Sequence, residues 1–193
     1  MGEPRLRVAT LADAPAIADI YGHYVRNTAI SFELEPPDAE TMRGRLADVL
    51  SGHPWLVADQ AGEVIGYAYA GGHRPKARAA YAWSVDTTIY LCHGLQRRGL
   101  GRRLYRALLE VVRRQGFYRA YGGIALPNDA SVGLHEAMGF SPIGVYRGVG
   151  YKLGAWRDVG WWGLDLTPLP AMPQPPAPFD AAATTAWLQA SVT

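Results

Sequence analysis

The stretch Gln96-Arg97-Arg98-Gly99-Leu100-Gly101-Arg102 lies between two segments with different patterns of apolar residues. The run before it, residues 87–91, is β-branched and aromatic, which favours a strand. The apolar residues after it recur at helical spacing, at Leu100, Leu104, Leu108 and Val111. The two glycines therefore lie at a strand-to-helix turn. Unpaired backbone N–H groups and the positive end of the helix dipole allow such a turn to hold a phosphate group.

Two familiar phosphate-binding loops do not match this stretch. A Walker loop requires GxxxxGK[ST], and the dinucleotide fingerprint requires a third glycine where this chain has Leu104. The pattern Q/RxxGxG/A instead resembles the pyrophosphate loop of the GNAT superfamily of N-acetyltransferases, along which acetyl coenzyme A lies. The resemblance implies that the whole stretch contacts the cofactor, namely Gln96, Arg97, Arg98, Gly99, Leu100, Gly101 and Arg102. Taken alone, the motif also fits a glycine turn that only begins a helix.

Composition narrows the class of protein. The chain has 193 residues, a formal charge of +2 and one cysteine, so we expect one domain without an internal disulfide. The amino-terminal residues lack the layout of a secretory signal, which together with the single cysteine favours a cytoplasmic location. No apolar run is long enough for a membrane span. Eight arginines lie between positions 97 and 119, but the modest total charge argues against a nucleic-acid partner.

The order of apolar and breaker residues predicts an α/β domain over residues 1–167. Strands are expected at residues 6–10, 55–58, 64–70, 87–91, 119–125, 145–153 and 159–166, with helices between several of them. This order fits the GNAT fold, a single domain with a mixed, mostly antiparallel, twisted sheet flanked by helices. Six prolines between positions 168 and 178 predict an extended tail over residues 168–193, with a possible short helix near residues 180–192.

Three further segments make the resemblance more specific. Residues 126–140, LPNDASVGLHEAMGF, are similar to the LPNDPSVxxHEAxGF/Y segment of phosphinothricin N-acetyltransferases. Residues 150–165, GYKLGAWRDVGWWGLD, match that family's next block, and residues 76–81, KARAAY, match its KxRxAY loop. The resemblance covers roughly residues 5–167 and is far more specific than one glycine loop.

The resemblance also implies a substrate site. In that family the substrate is an amino acid whose side chain carries a tetrahedral phosphorus or sulfur centre with several oxygens. Lys76 and Arg78 suit this chemistry, because both hold oxyanions, and Tyr81 adds a hydroxyl donor. Phe32 and Glu33 resemble residues on the substrate side in the family. A solvated basic loop is the alternative for Lys76 and Arg78.

Acetyl transfer to an amine requires a base, a stabilised oxyanion and a proton for the departing thiolate. The family's base is usually a glutamate, and the aligned residue here is the shorter Asp86, for which a structural strand-edge role is the alternative. His135 occupies the position that many superfamily members give to a proton-donating tyrosine, and a structural role in its helix is the alternative. Backbone donors for the oxyanion are expected from the central strand, at Ile89, Tyr90 and Leu91.

Asn128 and Ser131 are expected to contact the pantetheine arm of the cofactor. The five histidines show no spacing typical of a metal site, so no metal is expected.

These observations lead to one main hypothesis and two alternatives. The main hypothesis is an acetyl-CoA-dependent N-acetyltransferase that detoxifies phosphinothricin, methionine sulfoximine or methionine sulfone. The alternatives are acetylation of peptide or protein N-termini, and an acyl-CoA-binding regulatory module without turnover. Members of the family are commonly dimers, and the tryptophans near the carboxyl end of the domain offer apolar area for a homodimer interface, namely Trp156, Trp161 and Trp162.

Overall fold

A computed structural model describes residues 3–73, 78–95 and 99–190 of the chain. Seven strands form one sheet in the order β1-β2-β3-β4-β5-β7-β6. All neighbouring strands are antiparallel except β4 and β5, which are parallel. The strands are β1 (Arg5–Val8), β2 (Trp55–Gln60), β3 (Glu63–Gly72), β4 (Ser84–Leu91), β5 (Arg119–Leu126), β6 (Ser141–Lys152) and β7 (Ala155–Asp165).

Helices cover both faces of the sheet. One buried cluster joins the first two helices to β2 and β3, and a larger cluster joins the remaining helices to the opposite face. The described helices are α1 (Ala14–Asn27), α2 (Ala39–Leu50), α3 (Leu100–Gln115), α4 (Asp129–Ala137) and α5 (Ala181–Ala190). The predicted single α/β domain with a mixed, mostly antiparallel sheet is therefore confirmed.

The helix ends follow from local chemistry. Asp38 begins α2 by accepting a hydrogen bond from the Thr41 amide at 2.7 Å, which satisfies one of the unpaired donors of the first turn. Gly99 and Gly116 bracket α3 in the left-handed region, with φ of 78° and 95°. A side chain is strained in that region, so glycine permits both the abrupt entry into α3 and its end.

Three strands begin three or four residues earlier than the apolar pattern predicts, namely β4, β6 and β7. β4 begins at Ser84, because Ser84 and Asp86 pair with neighbouring strands although they are polar. β6 begins at Ser141 and includes Pro142. Since β6 is an edge strand, the missing amide hydrogen of a proline is tolerated there.

The carboxyl-terminal segment lies against the domain. Leu188 of α5 is 4% exposed and belongs to the larger core cluster, and the Arg114 guanidinium lies 4.5 Å from the centroid of the Trp187 ring. Within residues 3–73, 78–95 and 99–190, no helix is long and apolar enough to cross a membrane. The division of the chain at residue 167 stays a prediction.

The close packing of β5 against α4 gives a test of the fold. A methyl group at Gly122 would lie 2.6 Å from Nε2 of His135, whose ring is held by two hydrogen bonds. We therefore expect Gly122→Ala to lower the free energy of unfolding by about 1 to 3 kcal/mol in urea denaturation. The control is Gly44→Ala in α2, where a Cβ meets nothing within 4 Å. The control should stabilise the protein by about 0.5 to 1 kcal/mol, and equal shifts for both variants would contradict the packing.

Candidate active site

The parallel strands β4 and β5 separate after a short paired stretch. Pairing extends from Ser84 opposite Arg119 to Asp86 opposite Tyr121, and the ladder ends there. At the next residue the Thr87 hydroxyl donates to the Tyr121 carbonyl oxygen at 3.0 Å. The rest of β4 therefore presents an edge without a backbone partner from β5.

A cavity of 460 Å³ occupies the gap between the separated strands. It is called here the split cavity. Its walls come from α1 and the loop after it, from β4, from the amino end of α3 and from α4. The lining residues are Tyr24, Ile30, Ile89, Tyr90, Leu91, Gly99, Gly101, Arg102, Asn128, Ala130, Ser131 and Leu134.

The structure brings most of the predicted cofactor residues into this cavity. Ile89, Tyr90, Leu91, Gly99, Gly101, Arg102, Asn128 and Ser131 all line it. Leu100 instead packs into the core, 8% exposed, so only its backbone is available to a ligand. Gln96, Arg97 and Arg98 lie outside the described residues.

The amino end of α3 supplies unpaired donors to the split cavity. The first backbone hydrogen bond of the helix runs from the Arg103 amide to the Gly99 carbonyl oxygen at 3.1 Å. The amides of Leu100, Gly101 and Arg102 precede that bond and have no acceptor within an α-helical turn. A Cβ atom at Gly101 would lie 3.4 Å from Leu91, so a larger side chain there would project towards the gap. This end of the helix therefore suits an anionic group.

The register of β4 determines which amides face the gap. At one end of β4 the Ser84 carbonyl oxygen accepts a hydrogen bond from the His73 amide, which follows β3. Just past the other end, the Cys92 amide donates to the Ile65 carbonyl oxygen of β3. Positions 84 and 92 are both even, so the even-numbered residues of β4 direct their backbone polar groups towards β3. By alternation, Ile89 and Leu91 face the gap and Tyr90 faces β3. Ile89 and Leu91 are thus the candidate oxyanion donors.

The carbonyl oxygen of Leu91 already has a partner on α1. It accepts a hydrogen bond from the Tyr24 hydroxyl at 2.6 Å, which ties the unpaired end of β4 to that helix. The Leu91 amide is a separate group and is unaffected by this bond.

A second cavity lies on the other face of β4, beneath α1 and α2. It has a volume of 340 Å³ and is called here the face cavity. Tyr90 lines both this cavity and the split cavity, so the two spaces border the same residue. The lining residues of the face cavity are Tyr21, Glu33, Met42, Arg45, Asp48, Val49, Trp55, Tyr67, Tyr69, Thr88 and Tyr90.

Glu33 is fixed by three donors at this cavity. Arg45 binds its two carboxylate oxygens at 2.7 and 3.0 Å, and the Tyr21 hydroxyl donates to it at 2.8 Å. The Arg45 guanidinium holds the pKa of Glu33 below its usual range, and burial raises the pKa of Tyr21 to about 12. Phe32 packs on Gly150, where a Cβ atom would lie 2.8 Å from its ring. No sequence signal identified Arg45, because its partner lies twelve residues away across a loop.

Asp86 lies beside an imidazole. Its Oδ1 atom is 2.6 Å from Nδ1 of His73, the residue that follows β3. Strand alternation places Asp86, Thr88 and Tyr90 on one face of the sheet. Sequence reasoning did not identify His73, since the pairing depends on the register of β3 and β4.

Arg78 and Tyr81 line a third cavity, of 720 Å³, at the start of β4. It is called here the tail cavity, because residues 175–178 of the carboxyl-terminal segment form one wall. His53 and His73 also line it. The predicted substrate residues are therefore divided between the face cavity, which includes Glu33, and the tail cavity. Lys76 lies outside the described residues.

His135 lies in the core, 4% exposed, and is not among the residues that line the split cavity. Its Nδ1 atom is 2.8 Å from the Ser131 carbonyl oxygen and its Nε2 atom is 2.9 Å from the Tyr105 hydroxyl. The Tyr105 hydroxyl is in turn 2.7 Å from the Thr87 hydroxyl. Because a carbonyl oxygen only accepts, Nδ1 carries a hydrogen. Burial lowers the pKa of His135.

Comparison with known proteins agrees with this geometry. The acetyltransferase (GNAT) domain family matches residues 6–161. A phosphinothricin N-acetyltransferase from Streptomyces viridochromogenes is 45% identical over 173 residues, which are 90% of this chain and 93% of that protein. An L-methionine sulfoximine/L-methionine sulfone acetyltransferase from Pseudomonas paraeruginosa is 36% identical over 170 residues, which are 87% of this chain and 98% of that protein.

A solved structure shows the same likeness. The phosphinothricin acetyltransferase from Sinorhizobium meliloti, in complex with acetyl-CoA, superposes with a TM-score of 0.84 at 33% identity. The match covers 90% of this chain and 94% of that one. The chain belongs to the GNAT family of acetyltransferases.

The buried His135 makes stability depend on pH. Below about pH 6.5 an unfolded chain binds a proton at this residue, whereas the folded protein does not until its lowered pKa is reached. The free energy of unfolding should therefore fall as the pH drops below about 6.5, by up to about 1.4 kcal/mol per pH unit from this residue. Burial also lowers the pKa of His53, which adds a contribution of the same sign.

Urea denaturation at a series of pH values tests this assignment. His135→Asn should show a shallower pH dependence than the wild type in this range, because one of the two contributions is removed. A slope equal to that of the wild type would mean that His135 is protonated in the folded protein.

Proposed function

We propose that this acetyltransferase transfers the acetyl group of acetyl-CoA to the α-amino group of a small amino acid whose side chain carries tetrahedral phosphorus or sulfur and its oxygens. Phosphinothricin, methionine sulfoximine and methionine sulfone are the candidate substrates. Relatives that cover most of the chain carry these names, and a similar structure is a complex with acetyl-CoA. Acetylation removes the positive charge of the amino group, which fits a role in detoxification.

The observation that carries the proposal is the split cavity. It joins an unpaired strand edge, a helix amino end and the cap of α4 in one space of 460 Å³. We infer that the cofactor pyrophosphate binds at the amides of Leu100, Gly101 and Arg102. The pantetheine arm then extends past Asn128 and Ser131 towards Tyr90, which borders both the split and face cavities. This path brings the thioester to the same residue that borders the substrate side.

The chemical roles follow from the row of residues on β4. We propose that Asp86 provides the base function for the substrate ammonium group, and that the amides of Ile89 and Leu91 stabilise the oxyanion. His135 is proposed to relay a proton towards the departing thiolate, since its neutral imidazole can accept a proton at one nitrogen and release one from the other. From its buried position it acts through the hydroxyl groups of Ser131, at 3.4 Å, or Tyr105, at 2.9 Å.

We propose that Arg78, Tyr81 and Lys76 hold the oxygens of the substrate side chain. Arginine offers a planar pair of donors to an oxyanion, and Arg78 and Tyr81 share the tail cavity with His73, the partner of Asp86. Phe32 and Glu33 border the substrate from the α1 side. Glu33 is already engaged by Arg45, so its part is to shape the face cavity rather than to bind a proton.

We further propose a cytoplasmic homodimer in which residues 1–167 form the catalytic domain and residues 168–193 an accessory tail. The edge strand β6 supports the dimer, because it has exposed apolar residues that a second copy would cover, namely Ile143, Val145, Tyr146, Val149 and Tyr151. Of the three predicted interface tryptophans, Trp156 is 69% exposed and Trp162 is 7% exposed within the core. Trp156 therefore offers more area to a partner than Trp162.

The function is tested by release of free coenzyme A thiol with a panel of amines. We expect acetyl-CoA turnover with phosphinothricin, methionine sulfoximine or methionine sulfone, and the N-acetyl product in equal amount by mass spectrometry. Preferential turnover with a peptide that has a free amino terminus would instead support a peptide acetyltransferase. Binding of acetyl-CoA without thiol release with any of these amines would support a regulatory module.

The proposed clamp predicts a charge-dependent defect. Loss of one charge-assisted contact costs about 1.5 to 3 kcal/mol, or about tenfold to 150-fold in kcat/KM. Arg78→Ala should show this loss with anionic phosphinothricin and a smaller one with methionine sulfone, whose side chain is uncharged. The control is Arg106→Ala on the exposed face of α3, which should change neither value. Equal losses on both substrates would mean that Arg78 has a structural role.

A further inference from the structure

His73 and Asp86 form a pair that lies between the sheet and the tail cavity. The His73 amide donates to the Ser84 carbonyl oxygen at 3.1 Å, so the backbone of His73 is fixed by the end of the β3–β4 ladder. Its Nδ1 atom lies 2.6 Å from Oδ1 of Asp86, and its side chain is 17% exposed compared with 37% for Asp86. Hydrogen bonds therefore fix both the backbone and the side chain of His73.

The position of the hydrogen in the contact between His73 and Asp86 determines which atom of the pair can accept a proton. An ionised carboxylate only accepts hydrogen bonds, so the hydrogen of the short contact resides on Nδ1 of His73. In the neutral ring, Nε2 then carries a lone pair that can accept a proton. Within residues 3–73, 78–95 and 99–190, no hydrogen bond to this Nε2 atom is found. The ring belongs to the wall of the tail cavity, together with Arg78 and Tyr81.

We propose that Asp86 exerts its base function through His73: the imidazole takes the proton from the substrate ammonium, and Asp86 orients His73 and stabilises its charged form. This inference rests on the proposed function and deepens it. An aspartate side chain is one methylene shorter than the glutamate usual in the family that the sequence resembles. An imidazole bonded to that aspartate extends the basic atom away from the strand and towards the cavity.

The proposed step balances in protons. Nε2 of His73 takes one proton from the ammonium group, and the free amine attacks the thioester carbonyl carbon. The tetrahedral intermediate expels the thiolate as the C–S bond breaks. The second proton, from the nitrogen of the new amide, passes to the thiolate and gives free coenzyme A. The proton on His73 then leaves to solvent, and the imidazole is neutral again.

The charged and titratable groups around His73 favour this role. Asp86 is in contact and favours the imidazolium that forms. The rings of Tyr121 on β5 and Tyr81 lie at centroid distances of 4.7 and 5.6 Å and enclose the imidazole. Arg78 and His53 line the same cavity and oppose a second positive charge there.

The first test is the pH dependence of kcat/KM for His73→Gln, since glutamine retains a donor for Asp86 but has no basic atom. In the wild type kcat/KM should fall along an acid limb of the profile, because a protonated base cannot take the proton of the ammonium group. His73→Gln should lose that limb and lower kcat about tenfold to a hundredfold, with an unchanged KM for acetyl-CoA. The matched control is His23→Gln on α1, which should keep the wild-type profile.

Two further measurements separate a base from a structural residue. Added imidazole should restore part of the turnover of His73→Ala and none of that of Asp86→Asn. The double variant Asp86→Asn/His73→Gln should be no slower than the slower single variant, because the two residues act as one unit.

The outcomes distinguish this inference from the proposed function. A wild-type enzyme that acetylates no candidate amino acid would overturn the proposed function itself. An active wild type together with a His73→Gln variant that keeps the acid limb, whether or not its rate falls, would overturn only the role of His73. In that case Asp86 would act on the substrate without the imidazole.

Discussion

The separation of β4 from β5 after Asp86 is the constraint on which the rest of the site depends. The backbone ladder between these two parallel strands ends at Asp86 and Tyr121. The Tyr121 carbonyl oxygen accepts a hydrogen bond from the Thr87 hydroxyl at 3.0 Å. The Thr87 hydroxyl lies 2.7 Å from the Tyr105 hydroxyl, which lies 2.9 Å from Nε2 of His135. Gly122 provides the space for the His135 ring. The buried histidine thus supports the point at which the sheet opens.

Where the sheet opens, β4 borders one cavity with its free backbone edge and another with the side chains of one face. The backbone of Ile89 and Leu91 faces the gap that an acyl carrier can enter, whereas Thr88 and Tyr90 direct their side chains to the face beneath α1 and α2. Tyr90 borders both spaces. In the proposed function the acetyl group and the amine enter from different sides and meet there. The Tyr24 hydroxyl donates a hydrogen bond to the Leu91 carbonyl oxygen and so connects this end of β4 to α1.

Local features of this chain could be predicted from its sequence, and long-range pairings could not. The aspartate at position 38 and the glycines at 99 and 116 set helix ends by chemistry that acts over a few residues. The predicted cofactor residues on β4, α3 and α4 followed from motifs, and those that the structure describes, apart from Leu100, line one cavity. By contrast, the contacts of Glu33 with Arg45 and of His73 with Asp86 depend on how separate elements pack and on strand register. The burial of His135 depends likewise on the empty space at Gly122.

The most direct test of this account is a crystal structure of the protein with acetyl-CoA bound. We expect the thioester carbonyl oxygen to lie about 2.7 to 3.1 Å from the amide nitrogen of Ile89 or Leu91, with the pyrophosphate at the amino end of α3. The methyl end of the acetyl group should point towards Tyr90. A cofactor bound outside the gap between β4 and β5, or a thioester oxygen bonded to neither amide, would contradict the account.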